Sequence, residues 1–321
     1  MRQVIIIGSG PAGYTAAIYA ARASLKPLLI ASSVEAGGEL MKTTEVENYP
    51  GFAEGIMGPD LMAQMLAQAE KFGTEVVYDD VVKLELEGTV KRVHLGNGDV
   101  HEALTVIFAT GSAYRKLGLE DETRLSGHGV SWCATCDGFF FRNKTIAVVG
   151  GGDSAMEEAT FLTKFADKVY VVHRKDELRA SKAMQERAFA NPKIEFLWNQ
   201  EVKHIYGDEL VTGIGVVDTV DGTERTIDVS GLFVAIGADP RTHLVHGQLE
   251  LTPQGTIAVD GRTSRTSIAG VFAAGDVIDP TYRQAVTAAG SGTVAALDAE
   301  HYLAALPAET LALATAESAA V

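Results

Sequence analysis

Cys133 and Cys136 are the only two cysteines of the chain, in the segment Cys-Ala-Thr-Cys-Asp. Both sulfurs fit on one helical turn at this spacing, and in a reducing compartment such a pair is typical of a redox dithiol that cycles through a disulfide. Asp137 follows directly and is a candidate acid and base for the thiol chemistry. Zinc ligation is disfavoured because a zinc site needs about four ligands, and the chain has no second Cys pair and no suitably spaced histidine nearby. We therefore predict no metal site, and a pair of inert buried thiols stays an alternative.

The first glycine-rich segment is Gly-Ser-Gly-Pro-Ala-Gly, beginning at residue 8. It follows a β-branched run, Arg2 to Ile7, and precedes an Ala-rich helical stretch, Tyr14 to Ala23. Glycines at these positions permit a tight turn, let a pyrophosphate approach the backbone and let the helix pack closely on the strand. The pattern predicts a nucleotide-binding turn made of Gly8, Gly10, Pro11, Ala12 and Gly13.

A site of this kind needs an acidic residue for a ribose hydroxyl after its second strand. That strand is predicted at Pro27 to Ile30, and Glu35 is the nearest acidic residue, with Glu39 behind it. Each of the two is equally well interpreted as a solvated loop carboxylate.

A second glycine-rich segment, Gly-Gly-Gly-Asp-Ser-Ala from residue 150, again lies between a predicted strand and a predicted helix. Its candidate phosphate-binding residues are Gly150, Gly152, Asp153 and Ser154. The next strand ends in cations where an NAD site would have a carboxylate: His173, Arg174 and Lys175, followed by Arg179. Cations at this point suit a 2′-phosphate, so the sequence favours NADP(H) over NAD(H). A solvated basic helix start is the alternative, weakened by the acidity of the rest of the chain.

Two strand–turn–helix units of the same kind predict an α/β fold with two dinucleotide-binding (Rossmann-like) domains. Two such sites on one chain imply two cofactors that exchange electrons, for which a nicotinamide and a flavin are the usual pair. Apolar runs that end in Thr110-Gly111 and Gly275-Asp276 fit the first site.

The predicted domains follow from two strands that end in glycine, at Gly111 and Gly237. The first domain runs from 1 to 113, the second domain from 114 to 242, and residues 243–321 return to the first domain. The returning segment contains a predicted helix from Ala285 to Ala304. The tail after it is Ala/Thr/Glu-rich, and we expect it to be frayed.

Composition limits the classes of partner. The 321 residues carry 42 Asp and Glu against 27 Lys and Arg, a formal net charge of −15. Nucleic-acid binding without sequence preference needs a basic footprint, so no nucleic-acid partner is expected. No apolar stretch approaches the roughly 18 residues of a membrane span, and the apolar run at the N-terminus is too short for a secretory signal. We expect no membrane association and a cytoplasmic location.

Together these motifs resemble the bacterial-type low-molecular-weight thioredoxin reductases, over residues 1 to about 304. The Cys-Ala-Thr-Cys-Asp block between two nucleotide-type turns is the most specific of them. The other matching segments are Gly8–Tyr14, Thr44–Gly51, Ala109–Gly111, Gly150–Ala155, His173–Ala180 and Gly270–Asp276, with Tyr282–Ala285 after the last.

The resemblance implies FAD in the first domain, NADPH in the inserted second domain, thioredoxin as the partner, and a homodimer. It places Cys136 next to the flavin, assigns the mixed disulfide with thioredoxin to Cys133, and makes Asp137 the acid and base. Arg174 and Arg179 would hold the 2′-phosphate. The further residues assigned to FAD in this way are Gly37, Gly38, Asn48, Ala109, Thr110, Gly111, Gly275, Asp276, Arg283, Gln284 and Ala285.

Two positions depart from the family pattern. Glu39 stands where the family commonly has Gln, and this carboxylate is expected to alter flavin contacts or potential. Lys175 stands where a second Arg is usual; Lys keeps the charge but loses the bidentate fork. Trp132, directly before Cys133, is either a docking residue or a plain packing residue.

Two alternatives to thioredoxin reduction remain. One is a related flavoprotein with another acceptor, either a peroxiredoxin-linked system or a small-molecule disulfide. The other is a non-enzymatic redox sensor that signals through Cys133 and Cys136.

Overall fold

The computed structural model describes residues 1–315, which form two compact units. Unit 1 comprises Met1–Ala113 together with the chain from Asp239 onward, and unit 2 comprises Tyr114–Ala238. We expected the second crossing after residue 242. The backbone N–H of Arg241 donates to the carbonyl of Gly111 at 3.0 Å, and this bond draws residues 239–242 into unit 1.

The described chain contains strands and α-helices, with two long runs of consecutive strands. The strands are β1 (Arg2–Ile7), β2 (Leu28–Ala31), β3 (Glu45–Val46), β4 (Ile56–Met57), β5 (Glu75–Tyr78), β6 (Val81–Glu85), β7 (Lys91–Leu95), β8 (Val100–Phe108), β9 (Ser112–Tyr114), β10 (Val130–Ser131), β11 (Thr145–Val149), β12 (Lys168–His173), β13 (Ile194–Trp198), β14 (Gln200–Tyr206), β15 (Gly213–Asp218), β16 (Glu224–Asp228), β17 (Leu232–Val234), β18 (Ala238–Pro240) and β19 (Val271–Ala273). The α-helices are α1 (Pro11–Arg22), α2 (Gly58–Lys71), α3 (Glu120–Arg124), α4 (Ala134–Asp137), α5 (Asp153–Leu162), α6 (Lys182–Phe189), α7 (Ala285–Ala304) and α8 (Ala308–Thr315).

Unit 1 is built on a seven-stranded sheet in the order β5-β2-β1-β8-β7-β6, with β19 also paired to β8. The strands β5, β2, β1, β8 and β19 are parallel, whereas β6 and β7 join as an antiparallel hairpin. Ile7 lies opposite both Ile30 and Phe108, so the three strands end at one edge of the sheet. Most of their side chains are buried, which explains the apolar runs of the sequence.

The Ala-rich helices α1 and α7 cover one face of this sheet. Small residues allow them to approach closely: a Cβ added at Gly292 would lie 2.2 Å from the carbonyl oxygen of Ala12. The structure places α7 at the predicted bounds. It starts α1 at Pro11 rather than at Tyr14, because the fixed φ of proline suits the first helical turn.

The tail differs from its expected frayed state over residues 308–315. These residues form α8, and Leu311 and Ala314 pack against the core on the α1 and α7 side of the sheet. Burial of these two apolar side chains gives the helix a tertiary contact that composition alone does not reveal. Residues 316–321 of the expected tail lie outside the described residues.

Unit 2 has two sheets. Five parallel strands follow the order β10-β17-β11-β12-β13, and β14, β15 and β16 form an antiparallel three-stranded sheet. The helices α5 and α6 pack against the parallel sheet in one hydrophobic core. The strands β14 and β15 pack against the same sheet in a second core. The predicted α/β fold with two Rossmann-type units is confirmed.

Candidate functional site

The two sulfurs are joined in a Cys133–Cys136 disulfide that spans the start of the short helix α4. Cys133 is the residue before the helix, and its Sγ accepts a hydrogen bond from the backbone N–H of Cys136 at 3.2 Å. Cys133 is half-buried and Cys136 is exposed. Among residues 1–315, no cluster of His, Cys, Asp and Glu is arranged to hold a metal ion.

Asp137 lies at the end of the same helical turn. Burial raises the pKa of its carboxyl above the ordinary value, and a hydrogen bond with the Ser131 hydroxyl opposes that rise. The Ser131 hydroxyl also accepts the backbone N–H of Cys133 at 3.0 Å. One buried hydroxyl therefore contacts both the dithiol segment and its neighbouring acid. Sequence reasoning missed Ser131, since a lone serine at the end of a predicted strand carries no signal of its own.

The aromatic residue before the dithiol is packed. The Trp132 ring stacks on Tyr114 with 6.5 Å between ring centroids, and the Lys116 ammonium lies 5.9 Å from the Trp132 ring centre. Its indole Nε1 is buried and has no hydrogen-bond partner in the described part of the chain. These contacts show that Trp132 is a packing residue in this structure. A further role of Trp132 in docking stays a prediction.

The first glycine-rich turn of unit 1 has two crowded positions and one open position. A Cβ at Gly8 would lie 2.2 Å from the carbonyl oxygen of Ala109, and one at Gly13 would lie 1.9 Å from that of Gly8. A Cβ at Gly10 would meet nothing within 4 Å. The absence of side chains at Gly8 and Gly13 therefore lets the end of β1 pack closely against the start of α1. The space above Gly10 stays open at the N-terminus of α1, where the free N–H groups suit a phosphate. Pro11 and Ala12 form the first turn of this helix.

The segment that follows β2 passes over this turn. The backbone N–H of Gly37 donates to the Ser9 hydroxyl at 2.9 Å, and a Cβ at Gly38 would lie 3.3 Å from the Cα of Gly10. The two acidic candidates of this segment, Glu35 and Glu39, each pair with Arg241. Sequence reasoning missed Arg241, which lies about 200 residues further along the chain.

The third part of the unit 1 site lies around β19 and the start of α7. Burial, together with the charge of Asp279, raises the pKa of Asp276 to about 6, while Arg283 and a hydrogen bond with Ser112 oppose the rise and Glu39 adds to it. The backbone N–H of Gly275 donates to the Ser291 hydroxyl at 2.8 Å.

Asn48 reaches the same region, and its amide donates to Oε1 of Gln284 at 3.3 Å. Gln284 is the capping residue of α7, and Ala285 is the first residue of that helix. Thr110 and Gly111 meet Arg241 instead: the Thr110 hydroxyl donates to the Arg241 carbonyl at 3.0 Å. Unit 1 thus brings the predicted strand ends, the Asn48 segment and the start of α7 to one edge of its sheet.

The second glycine-rich turn, in unit 2, repeats the pattern of the first. A Cβ at Gly150 would lie 2.4 Å from the Ala235 carbonyl oxygen, whereas a Cβ at Gly152 would meet nothing within 4 Å. Asp153 and Ser154 open α5 with exposed side chains. The Asp153 carboxylate accepts the backbone N–H of Ser181 at 2.6 Å, so it holds the following loop.

The predicted cationic residues divide into one buried ring and three exposed cations. His173 is buried beneath the turn, and its Nε2 donates to the Glu177 carbonyl at 2.9 Å. Burial, with smaller effects of the nearby cations, lowers the pKa of His173. Its assignment to the nucleotide site stays a prediction. The exposed cations are Arg174, Lys175 and Arg179, and their side chains form no ion pair with another described residue.

Backbone hydrogen bonds hold the loop that carries these cations. The N–H groups of Arg179 and Ala180 both donate to the carbonyl of Gly151, at 2.7 and 3.1 Å. These exposed cations lie together after the end of β12, in a chain with a formal net charge of −15, and such groups are able to pair with a phosphate. None of the helices in residues 1–315 combines the length and the hydropathy that a membrane-spanning helix requires.

Comparisons with known proteins agree with this arrangement. The profile of the family described as pyridine nucleotide-disulphide oxidoreductase matches residues 2–292. A thioredoxin reductase of Streptomyces clavuligerus is 62% identical over 306 residues, which cover 95% of each chain. A thioredoxin reductase of Mycolicibacterium smegmatis is 61% identical over 304 residues, covering 95% of this chain and 97% of that protein. A solved thioredoxin reductase from Streptococcus pyogenes MGAS5005 superposes with a TM-score of 0.91 at 44% identity, covering 95% of this chain and 99% of that chain.

Proposed function

This chain belongs to the pyridine nucleotide-disulphide oxidoreductase family, and we propose that it is an NADPH-dependent thioredoxin-disulfide reductase that uses FAD. The resemblance predicted from the motifs is confirmed. The observation that carries the proposal is the Cys133–Cys136 disulfide at the start of α4, in a chain with a nucleotide-type turn in each of its two units.

FAD fits unit 1, and NADPH fits unit 2. In unit 1 the open space above Gly10 and the strand-end carboxyl of Asp276 support a site for the pyrophosphate and ribityl parts of FAD. In unit 2 the space above Gly152 and the exposed Arg174 and Arg179 support a site for the pyrophosphate and the 2′-phosphate of NADPH.

The overall reaction transfers two electrons from NADPH to the disulfide of thioredoxin. NADPH and one proton are consumed, NADP⁺ is released, and the thioredoxin disulfide becomes a dithiol. When bound, FAD supplies a carrier that accepts a hydride and passes electrons to a disulfide. The Cys133–Cys136 disulfide is the group of this chain that is reduced and reoxidised in each turnover.

The two sulfurs take different roles in the exchange with thioredoxin. Cys133 attacks the thioredoxin disulfide as a thiolate, forming a mixed disulfide and releasing one thioredoxin thiol. Cys136 then attacks the sulfur of Cys133, which restores the internal disulfide and releases the second thiol. The N–H of Cys136 that donates to the Cys133 sulfur supports this assignment, because such a donor stabilises negative charge on that sulfur.

Asp137 holds and moves the protons that this exchange requires. Its carboxyl is largely shielded from water and keeps a proton more readily than an ordinary aspartate. It is therefore able to protonate the thiolate released in one step and to accept a proton in the next. The Ser131 hydroxyl positions this carboxyl beside the dithiol segment.

Two further expectations remain proposals: a homodimer and a cytoplasmic location. Analytical ultracentrifugation of the FAD-loaded protein tests the first, and fractionation of cells that produce the chain tests the second.

The deciding experiment measures NADPH consumption by the FAD-loaded protein with thioredoxin and with insulin as the terminal disulfide. We expect consumption that depends on thioredoxin and disappears in the Cys133→Ser/Cys136→Ser variant. The same variant keeps NADPH-dependent reduction of a dye, since that reaction does not use the dithiol. NADPH consumption without thioredoxin dependence contradicts the proposal and favours another acceptor. Absence of consumption with every acceptor favours a redox sensor.

A further inference from the structure

Arg241 of unit 1 joins two carboxylates that lie far from it in sequence. Its Nη2 is 2.9 Å from Oε1 of Glu39 and 3.3 Å from Oε2 of Glu35. Lys42 completes the cluster, with its Nζ 2.8 Å from Oε1 of Glu35 and 3.7 Å from Oε1 of Glu39, so the cluster holds two cations and two carboxylates. The side chains of Arg241 and Glu39 are 31% and 34% exposed, so water screens their ion pair only in part.

The backbone of Arg241 is fixed as well. Its N–H donates to the carbonyl of Gly111 and its carbonyl accepts the Thr110 hydroxyl, both at 3.0 Å. Both partners follow shortly after the end of strand β8, where the family resemblance implied contacts with FAD. Arg241 therefore links the 35–42 segment to the strand end that borders the proposed flavin site.

The 35–42 segment covers the glycine-rich turn. It is held to that turn by the hydrogen bond from Gly37 to Ser9 and by the close approach of Gly38 to Gly10. The room above Gly10 consequently depends on how the 35–42 segment is held. Two negative charges on this segment would repel both each other and the pyrophosphate of FAD unless cations balance them.

We propose that Arg241 is a positioning residue of the flavin site: it holds Glu35 and Glu39 in place and balances their charge, so that the 35–42 segment leaves the phosphate space above Gly10 open. A guanidinium suits this role because each of its terminal nitrogens carries two N–H donors, and Nη2 of Arg241 donates to both carboxylates. The inference rests on the proposed binding of FAD in unit 1.

The surroundings of Asp276 support the placement of Glu39. Glu39 is one of the groups that raise the pKa of Asp276, along with burial and Asp279, against Arg283 and Ser112. Glu39 therefore faces the same part of the site as Asp276, and Arg241 balances a charge that acts there.

The test titrates FAD into the apoprotein and follows the quenching of flavin fluorescence. Arg241→Gln is expected to weaken FAD binding roughly five- to tenfold, since two partly screened ion pairs are lost and both carboxylates stay. Arg92→Gln is the matched control, because it removes an Arg–Glu pair of the same unit, Arg92 to Glu102 at 2.9 Å, away from the site. This control is expected to bind FAD as the unaltered protein does.

A second variant separates charge balance from plain structural support. Adding Glu39→Gln to Arg241→Gln is expected to restore at least half of the lost affinity on a logarithmic scale, since the unbalanced charge is removed. If Arg241 were only a structural anchor, the second substitution would leave the loss unchanged or increase it. FAD binding of Arg241→Gln within twofold of the unaltered protein, or a double variant that binds no better, overturns the inference.

Thermal unfolding of each apoprotein shows whether the variants are folded. If Arg241→Gln does not fold, Arg241→Lys takes its place, with an expected loss of roughly two- to threefold because an ammonium keeps the charge but lacks the planar set of N–H donors. Unchanged affinity in that variant likewise overturns the inference. Failure of the unaltered apoprotein to bind FAD contradicts the proposed function itself, which is a distinguishable result.

Discussion

The sulfur of Cys133 accepts a hydrogen bond from the backbone N–H of Cys136 at 3.2 Å. Cys133 is half-buried, whereas Cys136, one helical turn later, is exposed. The donor favours a thiolate at Cys133 once the disulfide is open. The test compares the two single-cysteine variants in their attack on the mixed disulfide of thioredoxin and thionitrobenzoate. We expect the Cys136→Ser variant, which keeps the Cys133 thiol, to react at least about tenfold faster than the Cys133→Ser variant. Stopped-flow absorbance of the released thionitrobenzoate measures both rates.

The same pair of variants also controls for folding. Both should keep NADPH-dependent dye reduction, because neither removes a residue of the proposed cofactor sites. Equal attack rates would contradict the assignment to Cys133, and a faster rate with Cys136 alone would assign the nucleophile to the exposed sulfur instead.

Replacing Asp137 should separate proton transfer from reduction of the cofactor. Asp137→Asn keeps the size of the side chain but cannot exchange a proton. We expect thioredoxin reduction to slow roughly 10²-fold, within the usual range for a general acid–base group, with dye reduction unchanged. The pH profile of thioredoxin reduction should also lose an ionisation, one that lies above the ordinary range of an aspartate because burial raises the pKa of Asp137.

Asp167→Asn is the matched control, since Asp167 is an exposed aspartate of the same unit. It should leave both the rates and the pH profile unchanged. A proton-transfer role for Asp137 is excluded if Asp137→Asn slows dye reduction as much as it slows thioredoxin reduction.

Local sequence patterns predicted the frame of the molecule. The run at Arg2–Ile7 is a strand with those bounds, and Ala285–Ala304 is a helix with those bounds. The periodicity that identifies such elements is contained within them. α8 was missed because its stability depends on packing of Leu311 and Ala314 against a core that is distant in sequence.

The site divides in the same way. The glycine-rich turns and the Cys pair are contiguous in sequence, so residue types and spacing identify them. Ser131 and Arg241 are not predictable in this way, since each acts through contacts that the fold creates. The burial of His173 and its hydrogen bond to the Glu177 carbonyl were likewise not visible in the sequence, and its assignment to the nucleotide site stays a prediction.

Asp276 should make the stability of the apoprotein depend on pH. Its carboxyl holds a proton up to about pH 6 in the folded chain, whereas in the unfolded chain it loses the proton near 3.8. Between these values the folded form binds more protons, so this group lowers the free energy of unfolding as pH rises from about 4 to about 6. Asp276→Asn should therefore gain stability relative to the unaltered apoprotein at pH 7, and less so at pH 4.5.

Urea unfolding of both apoproteins at the two pH values measures the effect as a difference. Glu54→Gln, which removes an exposed carboxylate of the same unit, should give the same difference from the unaltered protein at both pH values. An Asp276→Asn difference that does not change with pH would show that the carboxyl titrates normally.

The exposed cations after β12 should determine the choice of nicotinamide cofactor. A charge-assisted hydrogen bond contributes about 1.5–3 kcal/mol, so Arg174→Ala or Arg179→Ala should raise KM for NADPH roughly 10- to 100-fold. KM for NADH should change less than threefold, because NADH lacks the 2′-phosphate. Arg187→Ala, which removes another exposed arginine of unit 2, is the control and should alter neither constant. Parallel losses with both cofactors would contradict a 2′-phosphate site.

Two exposed aromatic rings directly after the dithiol segment should contribute to docking of thioredoxin. Phe139 and Phe140 are 51% and 41% exposed, and the Arg142 guanidinium lies 4.5 Å from the centre of the Phe139 ring. Large aromatic side chains beside a reactive group are typical of protein contacts that contribute strongly to binding. We expect Phe139→Ala/Phe140→Ala to raise KM for thioredoxin roughly tenfold, because two aromatic contacts are lost, while KM for NADPH and dye reduction stay unchanged.

Phe189→Ala, which removes an exposed ring elsewhere in unit 2, is the control. An unchanged KM for thioredoxin in the double variant would place the docking surface elsewhere, with the packed Trp132 and its neighbour Lys116 as the next residues to replace.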